Sequence, residues 1–193
     1  MISQRKTMLI LTGTFLVVLL GVVWGLVQQG RYDYAQNIVI KIVLWVLYTF
    51  FEVKCGISIS NCIRASVMAV LISDSFLGLY LDYYLTSSIF DKVQHVFGSY
   101  AFSLFVYSII CKLTQPTIGR GFTFIFIITL GLSIGAVYEI SEFLGDSLAK
   151  PSIPSQPNLL DTNLDLIADV IGSLFAAIHV TIILVGNLKN NIG

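Results

Sequence analysis

The stretch that decides the fold is TMLILTGTFLVVLLGVVWGLV, residues 7–27, which contains no charged side chain. A helix of about 20 apolar residues is long enough to cross the hydrocarbon core of a bilayer. The basic QRK before it resembles the start of a signal peptide, but the apolar run is too long and no small-x-small cleavage site follows. We therefore interpret it as an uncleaved first membrane span.

Five more stretches of this kind follow along the chain. The predicted spans cover residues 7–27, 36–53, 60–81, 92–113, 121–145 and 163–187. Hydrophobic residues make up 56% of the 193 residues and charged residues only 11%, with a mean hydropathy of +0.86. Soluble domains contain about 25% charged residues. The sequence predicts an all-α, polytopic integral membrane helical bundle with six transmembrane helices, in a single membrane domain over residues 1–193.

Composition also excludes some functions. The formal net charge is zero, so the chain has no basic surface for nucleic acid. Its three cysteines form no C-x-x-C motif and are interpreted as free thiols. We expect no organic cofactor, and the sequence leaves the oligomeric state open.

Basic residues set the expected orientation, because cytoplasmic loops are rich in Lys and Arg. Seven of the 11 basic residues lie on one side of the predicted spans if both termini are cytoplasmic. They are Arg5, Lys6, Lys54, Arg64, Lys112, Arg120 and Lys189. We expect a multi-pass protein of the bacterial cytoplasmic (inner) membrane with both termini in the cytoplasm.

Three acidic motifs lie where predicted spans reach the outer side. They are DKVQH (Asp91 and His95), AVYEISEF (Glu139 and Glu142) and DTNLDLIAD (Asp161, Asp165 and Asp169). A rise of 1.5 Å per residue places the deeper members roughly 6 to 12 Å below the outer surface. Spacings of three and four put the members of each motif on one helix face. The motifs therefore predict one acidic site near the outer leaflet.

Many carboxylates with one imidazole favour a hard divalent cation, Mg²⁺, Mn²⁺ or Ca²⁺. The expected metal ligands are Glu139, Glu142, Asp161, Asp165 and Asp169. A bound cation could polarise a phosphate or activate water. His95 is then the expected proton carrier, because the unperturbed pKa of imidazole lies nearest neutrality. Asp91 would orient its ring, and Lys92 would contact a phosphate as a point charge.

A structural explanation competes for some of these residues. Helix dipoles favour acids at N-termini, which alone could account for Asp91 and Asp161. It does not account for Glu139 and Glu142, which sit near a helix C-terminus, or for the deep Asp169. Elsewhere, Glu52 and Lys41 are expected to be snorkelling residues at span ends.

Small residues predict close helix packing at two places. Span five carries Gly131-x3-Gly135 and span six carries Gly172-x3-Ala176. Between these spans the segment 147–160 contains Pro151, Pro154 and Pro157. It is either a connector or a lid over the acidic site.

The segments DKVQHVFGSY, GAVYEISEFLGD and LLDTNLDLIADVIGSLFAAI resemble the signature segments of the bacterial YjdF-type inner-membrane proteins. The resemblance covers residues 85–180. A looser one runs to the VanZ-like membrane proteins, which share a D-K-x-x-H helix and an acidic last helix. The resemblance implies that the seven acidic and imidazole residues of the three motifs are the family's polar positions, and it implies no defined activity.

Three functions are compatible with these features. The first is a metal-dependent hydrolase or transferase acting on a phosphorylated membrane lipid. The second is a transporter or ion-coupled permease that uses the acids as a cation or proton relay. The third is a non-catalytic accessory membrane protein with a structural ion.

Overall fold

The structure is a computed structural model that describes residues 2–115, 119–149 and 154–190. These residues form helices and connecting turns, with no β-strand among them. The helices are α1 (Ile2–Gln28), α2 (Tyr32–Lys54), α3 (Asn61–Ile72), α4 (Tyr83–Thr86), α5 (Phe90–Thr114), α6 (Arg120–Ala149) and α7 (Leu159–Asn190). A π-helical segment, Ser73–Tyr80, continues α3 without a break.

Six helical stretches in the described part of the chain are long and apolar enough to cross a membrane. They are Gln4–Gln28, Tyr32–Lys54, Asn61–Tyr80, Phe90–Thr114, Arg120–Leu148 and Leu159–Ile183. Large apolar side chains such as Val17, Leu47 and Phe122 remain exposed on them. Such surfaces suit lipid, and a helix satisfies its own backbone there. The predicted all-α bundle with six spans is confirmed.

The helices group into two compact units, Met1–Phe90 and Asp91–Gly193. The single membrane domain expected from the sequence stays a prediction. All eight residues proposed for the acidic site lie in the second unit.

Tight turns shape the first unit. Gly30, with φ of +74°, closes the turn between α1 and α2. Asp82, with φ of +60°, follows the π-helical segment, and aspartate tolerates this left-handed conformation better than most residues. Its carboxylate accepts two hydrogen bonds from Arg31, which ties the two turns together.

Two polar contacts, one buried and one partly buried, correct the expectation of snorkelling residues. Glu52 is only 2% exposed and accepts hydrogen bonds of 2.6 and 2.7 Å from both terminal nitrogens of Arg64. Lys41 pairs with Asp74, which also accepts a 2.8 Å bond from the Tyr84 hydroxyl. Both charged residues form ion pairs within the first unit. Such pairing is expected, because an unpaired charge among apolar helices is costly.

Small residues bring α5, α6 and α7 together in the second unit. A Cβ atom at Gly131 would lie 2.3 Å from Cβ of Ser173, and one at Gly135 would lie 2.0 Å from Oδ2 of Asp169. The predicted close packing of α6 on α7 is confirmed at these two glycines. Gly172 serves another neighbour: its Cβ would lie 2.1 Å from the Val96 carbonyl oxygen of α5.

Candidate cation site

Acidic residues recur every fourth position along α7. Asp161, Asp165 and Asp169 lie one above another on one face of the helix. Asn158 caps this helix, since its side-chain oxygen accepts a 3.1 Å hydrogen bond from the Asp161 backbone N–H. The stripe continues inward to Ser173, which packs on Gly131.

Contacts between α5, α6 and α7 recur at intervals of about four residues, one helical turn apart. Along α6, Gly131 faces Ser173 and Gly135 faces Asp169, so the two helices are antiparallel. One further step of four brings Glu139 towards Asp165. Helix α5 runs parallel to α7, because His95 faces Asp169 while Ser99 faces Gly172. Three helices therefore deliver their polar residues to one place.

His95 stands at the centre of this cluster and is buried. Its Nδ1 lies 3.3 Å from both carboxylate oxygens of Asp169. Its Nε2 lies 3.5 Å from Oε1 of Glu139, 3.7 Å from Oδ1 of Asp165 and 3.8 Å from Oδ1 of Asp91. A carboxylate that holds one ring nitrogen fixes the ring's orientation and leaves the other nitrogen to act as a ligand.

The carboxylates around Nε2 are each engaged through their other oxygen. Oδ2 of Asp91 and Oδ2 of Asp165 accept hydrogen bonds of 3.0 and 2.9 Å from Lys92. Oε2 of Glu139 accepts a 2.6 Å hydrogen bond from the Gln156 side chain. One oxygen of each group therefore remains directed at the imidazole.

Two of these remaining oxygens are buried without a hydrogen bond. Oε1 of Glu139 and Oδ1 of Asp165 have no hydrogen-bond partner among the described residues, although both residues are at least 96% buried. Lys92 Nζ lies 2.9 Å from Oδ1 of Asp165 but donates to Oδ2 instead. A buried carboxylate oxygen without a partner is costly, so Oε1 of Glu139, which has no ammonium beside it, favours a positive group in this position.

The charge of the cluster points the same way. Six carboxyl groups gather here, those of Asp91, Glu139, Glu142, Asp161, Asp165 and Asp169. Among the described residues, the Lys92 ammonium and the His95 imidazole are the groups that oppose them within the cluster. At membrane depth such an excess of carboxylates requires protons or a cation.

The distances fit a single ion. Ligand bonds of roughly 2.0 to 2.5 Å place neighbouring ligand atoms about 3 to 4 Å apart. The three distances from Nε2 of His95, 3.5 to 3.8 Å, fall in this range. Ligand atoms of Asp91, His95 and Asp165 all lie within 4.8 Å of one another, which is close enough to share an ion. Glu139 does not belong to this group of three and adjoins it through the 3.5 Å approach of its Oε1 to Nε2 of His95.

Lys92 makes contacts inside the cluster that the sequence did not indicate. Its ammonium contacts Asp91 at 3.0 Å, Asp161 at 2.5 Å and Asp165 at 2.9 Å. All three donors of the ammonium are thereby directed at carboxylates. The predicted phosphate contact stays a prediction, and in the structure Lys92 is the internal counter-ion of the cluster.

The predicted metal ligands differ in whether they face Nε2 of His95. Asp165 and Glu139 face Nε2 directly, whereas Asp169 holds the other side of the ring and Asp161 binds Lys92. Glu142 is half-buried and lies near Glu139 and Asp91. The second histidine, His179, lies outside the cluster and shares a 2.6 Å hydrogen bond with Tyr100.

Sequence reasoning missed Gln156, which lies in the connector between α6 and α7. Asp146 accepts hydrogen bonds of 3.0 and 2.8 Å from the backbone N–H groups of Ser155 and Gln156. The amide of Gln156 then reaches the carbonyl oxygen and the side chain of Glu139. Residues 150–153, which include Pro151, lie outside the described residues.

Comparison with known proteins places the chain in a family. Residues 9–186 match the family described as "Predicted membrane protein (DUF2238)". The chain belongs to this family. The resemblance to the YjdF-type membrane proteins is consistent with this match.

A relative has also been found in Thermotoga maritima. It is an uncharacterized protein, 33% identical over 98 residues, and the match covers 51% of this chain and 50% of the relative. The chain thus matches about half the length of this relative. No solved structure shows a significant match to the chain.

Proposed function

We propose that the second unit binds a divalent cation between His95, Asp91, Glu139 and Asp165. The observation that carries this proposal is the pair of buried carboxylate oxygens, Oε1 of Glu139 and Oδ1 of Asp165, that face Nε2 of His95 without a hydrogen bond. A cation would satisfy both oxygens and the free ring nitrogen together. It would also offset the excess of carboxylates.

A binding measurement tests the proposal. The protein is purified in detergent, treated with a chelator and titrated with Mn²⁺, with free Mn²⁺ followed by electron paramagnetic resonance. We expect one site per chain, lost or weakened at least tenfold in Asp165→Asn and Glu139→Gln. Asp82→Asn removes an acid of the first unit, where its carboxylate accepts hydrogen bonds from Arg31, and serves as the control. Equal Mn²⁺ binding in all four proteins, or no binding in the wild type, would contradict the proposed cation site.

We infer that the cation serves a hydrolase or transferase acting on a phosphorylated lipid. Asp91 and Asp161 are partly exposed, at 27% and 22%, while Asp165 and Asp169 are buried. The cluster is therefore open towards the first turns of α5 and α7. A phosphate arriving there meets the favourable end of two helix dipoles and a cation that polarises its oxygens.

The orientation belongs to the same proposal. Basic residues favour both termini in the cytoplasm of a bacterium. The cluster then lies at the outer leaflet of the inner membrane, at the level of lipid head groups. The likeness to VanZ-like proteins rests on the D-K-x-x-H helix and the acidic last helix and supports only this general setting.

Turnover separates this function from its alternatives. Release of inorganic phosphate from a polyprenyl diphosphate in detergent, dependent on Mn²⁺ and absent in Asp165→Asn, supports the enzyme. Cation binding that raises the melting temperature without turnover supports a structural ion. Cation flux into liposomes that contain the protein, abolished by the same substitution, supports transport.

A further inference from the structure

Side-chain donors hold the carboxylates that surround His95. Lys92 donates to Oδ2 of Asp91 and to Asp165, and Gln156 donates to Oε2 of Glu139. The opposite oxygen of each group faces Nε2 of His95, at 3.5 to 3.8 Å. Asp91 and Glu139 are thereby each held through one oxygen, whereas Lys92 lies 2.9 Å from both oxygens of Asp165.

The number of oxygens offered decides which cation fits. Calcium takes six to eight oxygen ligands and commonly uses carboxylates through both oxygens. Manganese accepts nitrogen as well as oxygen and is typically held by about six ligands. The imidazole nitrogen of His95, with single oxygens of Asp91 and Glu139 and the carboxylate of Asp165, suits this ion and leaves positions for water or substrate.

We propose that Gln156 is a specificity-determining residue that excludes calcium by keeping Glu139 monodentate. This inference rests on the proposed cation site and goes beyond it. Of the donors that restrict the carboxylates, Gln156 comes from the connector rather than from a helix. Its 2.6 Å bond to Oε2 of Glu139 leaves only Oε1 for the ion. Without that bond Glu139 can turn both oxygens inward.

Asp146 fixes the position from which Gln156 acts. Its two oxygens accept the backbone N–H groups of Ser155 and Gln156 at 3.0 and 2.8 Å. Asp146 lies seven residues after Glu139 on α6, which is about two helical turns. From this anchored position the Gln156 side chain donates to both the carbonyl and the carboxylate of Glu139.

Competition between two ions tests the inference. Dissociation constants for Mn²⁺ and Ca²⁺ are measured on wild type, Gln156→Leu and Ser155→Ala in detergent. In wild type we expect Mn²⁺ to bind more tightly than Ca²⁺. Loss of a ligand-orienting partner changes metal affinity by about 10- to 100-fold. In Gln156→Leu we therefore expect the preference for Mn²⁺ over Ca²⁺ to fall at least tenfold. Ser155→Ala keeps its backbone bond to Asp146 and should match wild type.

A second variant keeps the test decisive if Gln156→Leu does not fold. Asp146→Asn leaves Gln156 and all ligands in place and weakens only the anchor of the connector. We expect a smaller loss of preference in the same direction. An unchanged preference in whichever of the two variants folds, with Mn²⁺ still bound, overturns the role of Gln156 and leaves the cation site standing. A wild type that binds neither ion overturns the site itself.

Discussion

His95 and Asp169 face each other between α5 and α7, with Nδ1 of the imidazole 3.3 Å from both oxygens of the carboxylate. This contact turns the opposite nitrogen, Nε2, towards Glu139, Asp165 and Asp91. Asp169 thus positions the ring without facing the proposed ion. The arrangement is the one in which a carboxylate behind a histidine ligand sets its tautomer and basicity.

Replacing Asp169 by Asn should weaken cation binding while leaving the facing ligands unchanged. An amide is a weaker partner for an N–H group and can turn its own NH₂ towards the ring. We expect the affinity for Mn²⁺ to fall by about 10- to 100-fold. The measurement is the same Mn²⁺ titration, with Asp82→Asn as control. An affinity equal to wild type would show that the ring is held by other contacts.

The position of Asp169 depends in turn on a glycine of α6. A Cβ atom at Gly135 would lie 2.0 Å from Oδ2 and 2.4 Å from Cγ of Asp169, so alanine forces the carboxylate away from His95. We expect Gly135→Ala to weaken Mn²⁺ binding about as much as Asp169→Asn. Gly145→Ala, on the same helix with nothing within 4 Å of a Cβ atom, should bind like wild type.

The double variant gives a sharper result. If Gly135→Ala acts by displacing Asp169, combining it with Asp169→Asn should add little to the loss of Mn²⁺ affinity. Losses that multiply would mean that the alanine perturbs the helix packing by another route.

Much of this arrangement follows from the sequence. A helix forms all its backbone hydrogen bonds within one segment, as a chain in lipid requires. The length of the apolar stretches was therefore enough to predict six spans. Helical periodicity then predicted the shared faces of Asp91 with His95 and of Asp161 with Asp165. The small residues at Gly131 and Gly135 predicted the contact of α6 with α7.

The connections that depend on three-dimensional packing were beyond this reasoning. Lys92 reaches Asp161 and Asp165, which lie 69 and 73 residues away in sequence, and no local pattern relates them. Gln156 is an uncharged residue in a proline-rich connector, so nothing in its neighbourhood marks it as a partner of Glu139. The contact between Glu52 and Arg64 was likewise not predicted, because it forms only when the turn between α2 and α3 places these two residues side by side.

Removing the charge of Lys92 should strengthen cation binding. Its ammonium lies 2.9 Å from Oδ1 of Asp165, a proposed ligand atom, and therefore competes with the ion. We expect Lys92→Met to bind Mn²⁺ more tightly than wild type, while its cation-free form melts at a lower temperature because three aspartates lose their partner. If Lys92 instead serves a phosphate, Mn²⁺ affinity stays constant and phosphate release from a lipid substrate falls.

The buried pair in the first unit offers a prediction on stability. Arg64 and Glu52 are 1% and 2% exposed and joined by two hydrogen bonds of 2.6 and 2.7 Å. Removing one partner leaves a buried charge alone, which costs about 3–5 kcal/mol. We expect Arg64→Met to lower the melting temperature in detergent sharply. The double variant Glu52→Leu/Arg64→Met should recover most of the loss, because it removes both charges at once.

The pair of Arg31 and Asp82 provides the comparison for this measurement. It has the same chemistry, but its side chains are 23% and 41% exposed, and exposed ion pairs contribute about 0–1 kcal/mol. Arg31→Met should therefore shift the melting temperature far less than Arg64→Met. Equal shifts would mean that Glu52 is hydrated or protonated once Arg64 is gone. A double variant that is no more stable than Arg64→Met would show that the guanidinium also stabilises the α2–α3 turn through its bond to the Ile59 carbonyl.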